Sequence, residues 1–317
     1  VKKIFYGISG VMMISLIIAL VFYQYSLVLA PQKENKVTKD SEPQTNQKEQ
    51  PLYAEHTVDY SLQNDELKIT FDKGNSWLPV PIIKDQLFEG EYSGNKQEPI
   101  ENSYILLKNR TAFLYSDGPD GSDNKIYLTY TLDQGKLWRD AVIAEHYPSL
   151  RFRKVNFLND NFGYCLLSGD RTVSQEMSNV YLTHDGGKSW RETNPSNVTN
   201  LVKDGGFVDE QTGFLSYGFI NPEEPDLYVT QDEGNSWMKA TINIPDQYHK
   251  IFVTAELPFK EKDHLAVLIN QGPNGDYKGG KVKGKFLSND NGKTWGFSTE
   301  VKPNETEQGE TLANSQK

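Results

Sequence analysis

One cysteine in 317 residues removes several protein classes at once. Cys165 lies in the apolar run GYCLLS, and a lone thiol can form neither an internal disulfide nor a thiolate metal cluster, so it reads as a small buried hydrophobe. Histidine is nearly as scarce. His56, His146, His184, His249 and His264 stand far apart, and no pair has the spacing that puts two imidazoles on one metal. The run Asp117, Asp120, Asp123 lacks the EF-hand pattern and reads as a solvated turn. Neither a metal nor a cofactor is therefore expected, and phosphate-loop and serine-nucleophile motifs are absent. Positive charge is also short: 33 Lys and Arg against 43 Asp and Glu leave a net charge of -10. No basic cluster is present to neutralise phosphates, which excludes a nucleic-acid partner.

Long apolar runs are confined to the start. Residues 4–25, IFYGISGVMMISLIIALVFYQY, are uncharged and long enough to span a bilayer as a helix of about 20 residues. Lys2 and Lys3 precede them, so the positive-inside rule leaves the N-terminus in the cytoplasm and sends the rest across. Residues 1–30 are thus expected to be a single-pass anchor in the cell membrane. The alternative is secretion after cleavage near Ala30, which the length of the run and the following Pro31 disfavour. Residues 31–51 contain no aromatic and too little apolar surface to offset ordering entropy, and are expected to be a stalk. The tail 302–317 has the same character, which leaves 52–301 as the folded domain.

All five tryptophans close copies of one phrase: ITFDKGNSW, TYTLDQGKLW, YLTHDGGKSW, YVTQDEGNSW and FLSNDNGKTW. The copies recur at roughly 50 residues, a period that means one supersecondary unit per repeat. Alternating runs such as KIYLTY and DLYVT precede the phrase and another run begins at Trp, so Asp-x-Gly is the turn of a hairpin. A second hairpin lies upstream. KVNFLNDNFGYCLLS matches GGFVDEQTGFLSYGF, and YILLKNRTAFLYS and KIFVTAELPFKEKDHLAVLIN are looser versions. Four antiparallel strands per repeat make a propeller blade, so the class is all-β.

These residues resemble the Asp-box, or BNR repeat, of sialidases, sortilin-type receptors and photosystem II assembly factors. The matching positions are Thr70, Asp72, Gly74, Ser76 and Trp77; Thr183, Asp185, Gly187, Ser189 and Trp190; Thr230, Asp232, Gly234, Ser236 and Trp237; and Ser288, Asp290, Gly292, Thr294 and Trp295. The second copy has Thr131, Asp133, Gly135 and Trp138 but Leu137 in place of the hydroxyl residue. Five boxes imply five blades with the boxes as C-D turns, the first blade incomplete, or six if a degenerate blade occupies residues 78–101. Each Asp is expected to accept hydrogen bonds from its own turn, and each Trp to cover the hairpin. The same constellation in every repeat is structural, so no catalytic role is assigned to it.

Strand parity then divides the molecule. C-D and A-B turns share one end, so the long B-C and D-A loops share the other, where function usually sits. Two aromatic clusters there, Glu145, His146 and Tyr147 in one repeat and Tyr248 and His249 in another, are candidates for a binding rim, with Arg171, Glu223 and Glu224 beside them. A sialidase would need three converging arginines, and only Arg151, Arg153 and Arg171 are placed to reach that end. A glycoside hydrolase needs only two carboxylates, and Glu89, Glu91, Asp120, Glu145, Glu176, Glu223, Glu224 and Asp276 are eligible without a pair being singled out. The sequence reads as a membrane-anchored extracytoplasmic propeller that binds a protein or glycan ligand as a scaffold. A glycoside hydrolase of Asp-box type is the alternative.

Overall fold

The alternating runs become strands in the computed structural model, which describes residues 57–118, 124–218 and 220–302. The anchor, the stalk and the tail beyond residue 302 lie outside the described residues. Among the described residues no helix is long and apolar enough to cross a membrane. The protein there is all-β, with only short 3-10 turns besides, and its strands form five sheets taken up in chain order.

Sheet I holds β1 (Asp59–Gln63), β2 (Glu66–Thr70) and β3 (Leu78–Ile83). Sheet II is a four-stranded antiparallel meander of β4 (Tyr104–Leu107), β5 (Arg110–Ser116), β6 (Asn124–Thr131) and β7 (Arg139–Tyr147). Sheet III repeats it with β8 (Leu150–Phe157), β9 (Gly163–Gly169), β10 (Met177–Thr183) and β11 (Arg191–Glu192). Sheet IV does so again with β12 (Val202–Phe207), β13 (Gly213–Tyr217), β14 (Asp226–Thr230) and β15 (Met238–Lys239). The four-stranded meander is consistent with a propeller blade.

Sheets I and V depart from the regular plan. The first box joins β2 to β3, and among the described residues sheet I has three strands where sheets II to IV have four. Sheet V divides its innermost strand into β17 (Thr254–Ala255) and β18 (Phe259–Glu261), both paired with β19 (His264–Asn270). The break falls at Pro258, which has no N–H to give to a ladder. The sheet continues through β20 (Lys283–Ser288) and β21 (Thr294–Val301), and β16 (Thr241–Asn243) adds a parallel strand on the outer edge of β21. The degenerate blade considered at 78–101 does not form. Residues 78–83 are β3 of sheet I, and a 3-10 turn follows at Lys84–Phe88.

Cores lie between consecutive sheets. Tyr60, Leu67 and Ile69 of sheet I meet Phe113 and Tyr115 of sheet II. Leu114, Ile126 and Leu128 meet Val155, Cys165 and Leu167 of sheet III. Tyr164, Leu166 and Leu182 meet Val202, Phe207 and Leu215 of sheet IV, and Phe214, Leu227 and Val229 meet Val267, Phe286 and Trp295 of sheet V. Full burial of one such side chain contributes roughly 1.5–3 kcal/mol, so these four seams outweigh any single turn. Sheets II to IV are covered on both faces, and β5, β9 and β13 are accordingly buried along their whole length. In sheet V the alternation survives: Gly284 and Phe286 of β20 are buried while Lys283 and Lys285 on the other face are half-exposed. Cys165 is fully buried, and burial pushes its thiol well above the usual range, which leaves it inert.

Candidate functional site

The boxes define one end of the molecule. In each, the two residues after Asp have positive φ, as in Lys73 and Gly74 or Gly186 and Gly187, which is the two-residue hairpin turn that suits twisted strands. In the first box Thr70 Oγ1 donates to Asp72 Oδ1 at 2.8 Å and accepts from Gly74 N at 2.8 Å. Asp72 accepts further from Ser76 N at 2.8 Å and from Ser76 Oγ at 2.6 Å. The third, fourth and fifth boxes repeat this pattern around Asp185, Asp232 and Asp290. The Ser76 hydroxyl and N–H hold the Asp72 carboxyl down to about 2. In the second box Leu137 offers only its N–H, at 2.9 Å from Asp133 Oδ1.

Contacts between sheets place the A-B turns at the same end. Arg110, buried at the start of β5, donates from Nη1 to Gly186 O and from Nη2 to Asp160 O, both at 2.8 Å. Its guanidinium stacks 3.8 Å from the Phe157 ring centre, and burial pulls its pKa below the usual value. Gly186 N donates to Asn161 O, and Gln211 Nε2 donates to Glu233. The box end is therefore a connected layer of turns.

At the opposite end the sequence candidates are dispersed. Glu145 is exposed and takes Lys125 Nζ at 2.9 Å, which holds its carboxyl down, and His146 is exposed beside it. Tyr147 is corrected from a rim residue to a core residue: it is 3% exposed, and its hydroxyl donates to Asn179 at 3.0 Å. The reason is that β7 runs to Tyr147, through residues expected in a D-A loop, and carries its ring into the seam with sheet III. Tyr248 is half-buried against Phe252 and Phe297, with its hydroxyl 2.8 Å from Glu300 Oε1, while His249 is exposed. Arg171 pairs with Glu91 at 3.2 Å, Glu223 with Lys250 at 3.2 Å and Glu224 with Lys239 at 3.0 Å. Among the described residues no hydrogen bond or ion pair joins the Tyr147 cluster to the Tyr248 cluster.

Among the eligible arginines and carboxylates, Arg151, Arg153 and Glu176 are taken up in structural contacts. Glu176 is buried and held by Arg151, Ser168 Oγ and Val202 N, so it ties sheet III to sheet IV. Arg153 is buried and donates to the carbonyls of Leu87 and Glu89, and burial lowers its pKa to about 10. Asp117 accepts from Lys125 N at 2.7 Å, while Asp120 and Asp123 lie outside the described residues.

The structure instead offers a cleft of about 860 Å³ between the first strands of sheets III and IV and the strands of sheet V, which loop-based reasoning missed. Lys154 of β8, Lys203 and Asp204 of β12, and Lys283 and Lys285 of β20 line it, with Glu256 and Glu261. Three ion pairs cross it: Lys154 to Asp204 at 2.6 Å, Lys283 to Glu256 at 2.5 Å and Lys285 to Glu261 at 2.6 Å. At the end opposite the boxes it meets a second cavity of about 560 Å³, with which it shares Lys203, Asn270 and Lys283. The legible signal was charge in the strands that line the cleft, in RKVNF, VKDGG and KVKGK.

No protein-family model matches the chain. Among curated proteins, vacuolar protein sorting/targeting protein 10 of Schizosaccharomyces pombe is 26% identical over 123 residues, which is 38% of this chain and 8% of that protein. Solved structures that resemble the chain include an ulvan lyase of polysaccharide lyase family PL25, at TM-score 0.42 and 12% identity, covering 78% of this chain and 70% of that one. The GH74 xyloglucanase of Xanthomonas campestris matches at TM-score 0.38 and 12% identity over 74% of this chain and 34% of its own. A Dyadobacter fermentans protein of unknown function matches at TM-score 0.40 and 13% identity, over 64% and 70% of the two chains. Likeness at this level carries no activity to the present chain.

Proposed function

We propose that the five sheets are the blades of an Asp-box propeller, carried outside the cell membrane by the apolar segment 4–25, whose cleft end binds a protein or glycan ligand as a scaffold. On this reading sheet I is the incomplete first blade, and the polar outer faces of sheets I and V flank the seam of the ring.

The observation that supports binding over hydrolysis is the charge state of the cleft. Asp204, Glu256, Glu261 and Glu300 are each bonded to a lysine. Among the described residues every carboxyl group with a displaced pKa is displaced downward. Glycoside hydrolysis needs a general acid held protonated near neutral pH, which burial or a like charge would provide by raising a carboxyl. Lys285 beside Glu261 and Lys278 beside Glu300 do the reverse, holding those two cleft carboxyls down.

The test is crosslinking on intact membranes followed by recovery of the chain, run beside a screen for glycan hydrolysis. A specific crosslinked protein or glycan with no turnover is expected. Turnover abolished by one acidic substitution in the cleft would replace this reading with the hydrolase. Protease added to intact cells should cut within residues 31–51, and protection until lysis would overturn the outward orientation.

A further inference from the structure

The smaller cavity, at the mouth of the cleft, has an unusual lining for a chain of net charge -10. Lys203, Lys281 and Lys283 line it, and among the described residues no carboxylate does. Lys283 is spoken for, since its ammonium lies 2.5 Å from Glu256, which also accepts from Asn270. Lys203 and Lys281 have no carboxylate within ion-pair reach among the described residues. Lys203 is half-buried on β12, so its charge has lost part of its hydration, and the attraction of Glu256 and Asp204, neither in direct contact with it, does not make up the loss.

Two buried polar atoms on the same wall are also unpaired. Thr254 is 3% exposed, and its Oγ1 has no hydrogen-bond partner. Gln271 is 6% exposed; its Nε2 donates to the carbonyls of Tyr277 at 2.9 Å and Val282 at 2.8 Å, which fixes the amide and leaves Oε1 unpaired. Buried polar groups in native proteins are nearly always satisfied, by protein, water or ligand. The Thr254 hydroxyl, free to donate, and the Lys203 ammonium line the same cavity, and two such donors suit an acceptor that carries charge.

We infer that this mouth is an oxyanion site, in which Lys203 and the Thr254 hydroxyl hold a carboxylate, sulfate or phosphate group, Lys281 closes over it from the exposed side, and Gln271 Oε1 accepts from a water or a donor next to the anion. The inference rests on the reading of this end as the binding surface and supplies the chemistry its ligand must present. Burial lowers the Lys203 pKa, which is the state that a bound anion relieves.

The experiment is amine acylation of the full-length chain with lysine-by-lysine mass-spectrometric readout, in inorganic phosphate, sulfate, acetate or chloride at equal ionic strength. At least one oxyanion should protect Lys203 and Lys281 several-fold and saturably over chloride. Lys260, exposed and paired with Asp209 at the box end, should not change. Lys203→Gln and Thr254→Val should each remove the protection of Lys281 while the unfolding midpoint stays at or above that of the parent. Which anions protect then separates carboxylate from sulfate or phosphate as the preferred group. Equal acylation in all four salts, or undiminished protection of Lys281 in Lys203→Gln, would overturn the inference. A failed crosslinking experiment with protection intact would count against the macromolecular ligand alone.

Discussion

Replacing Asp185 by alanine removes the acceptor at the centre of the third box. Its carboxylate takes four hydrogen bonds, from Thr183 Oγ1, Lys188 N, Ser189 N and Ser189 Oγ. Burial pushes this carboxyl up, but the Ser189 hydroxyl and the N–H donors outweigh it and bring it from 3.8 to about 2. A shift of that size corresponds to roughly 2.5 kcal/mol, and solvent screening of a half-exposed group reduces it to about 1–2 kcal/mol. The folded-state pKa is depressed, so this stabilisation is complete above 3.8 and is lost as pH falls through about 2. Urea unfolding of the parent and Asp185→Ala should therefore differ by about 1–2 kcal/mol at neutral pH, with the gap narrowing on acidification. A gap that stays constant as far as both proteins remain folded would refute the argument, because a neutral packing loss has no such dependence. The second box supplies an internal comparison. Asp133 takes bonds only from Thr131 Oγ1 and Leu137 N, so Asp133→Ala should cost less than Asp185→Ala.

Three further outcomes are expected. Leu137→Thr exchanges an exposed leucine for the missing hydroxyl donor to Asp133 and should raise the thermal midpoint; a lower midpoint would mean that the leucine packs usefully. Arg110→Met leaves the Gly186 and Asp160 carbonyls unpaired and should cost about 2–4 kcal/mol in denaturant unfolding, and a near-neutral result would show that solvent reaches them. Tyr147→Phe deletes one hydrogen bond in the seam between sheets II and III, so about 1 kcal/mol should be lost while ligand capture is unchanged. Loss of capture without loss of stability would return Tyr147 to the binding surface.

The elements legible in the sequence were those set by local chemistry. An Asp-x-Gly turn needs two positive φ angles and a nearby hydroxyl, all within a few residues, so each box announced its hairpin. The strands flanking it followed from alternation. What escaped was decided by distant parts of the chain. The attachment of β16 to β21 pairs residues about 50 apart in parallel, which no local pattern encodes. Tyr147 was expected in a D-A loop, yet the neighbouring sheet offered a place for its ring and a partner in Asn179. The cleft was missed for a different reason. Lys154, Lys203 and Lys283 sit on strands, and their convergence depends on how three sheets are stacked.

Four seams holding five slabs in a row give the protein a graded resistance to opening. Among the described residues an inner slab must break two of these apolar seams to detach and an end slab one, so fluctuations should begin at the ends and spread inward. Sheets III, IV and V line the cleft together with Glu101 and Asn102, and among the described residues one apolar seam holds sheet V in place. The binding cavity therefore borrows one wall from the most easily loosened part of the molecule. Whatever settles into it and touches that wall will also fasten the array, and amide exchange in sheet V will slow in proportion to occupancy.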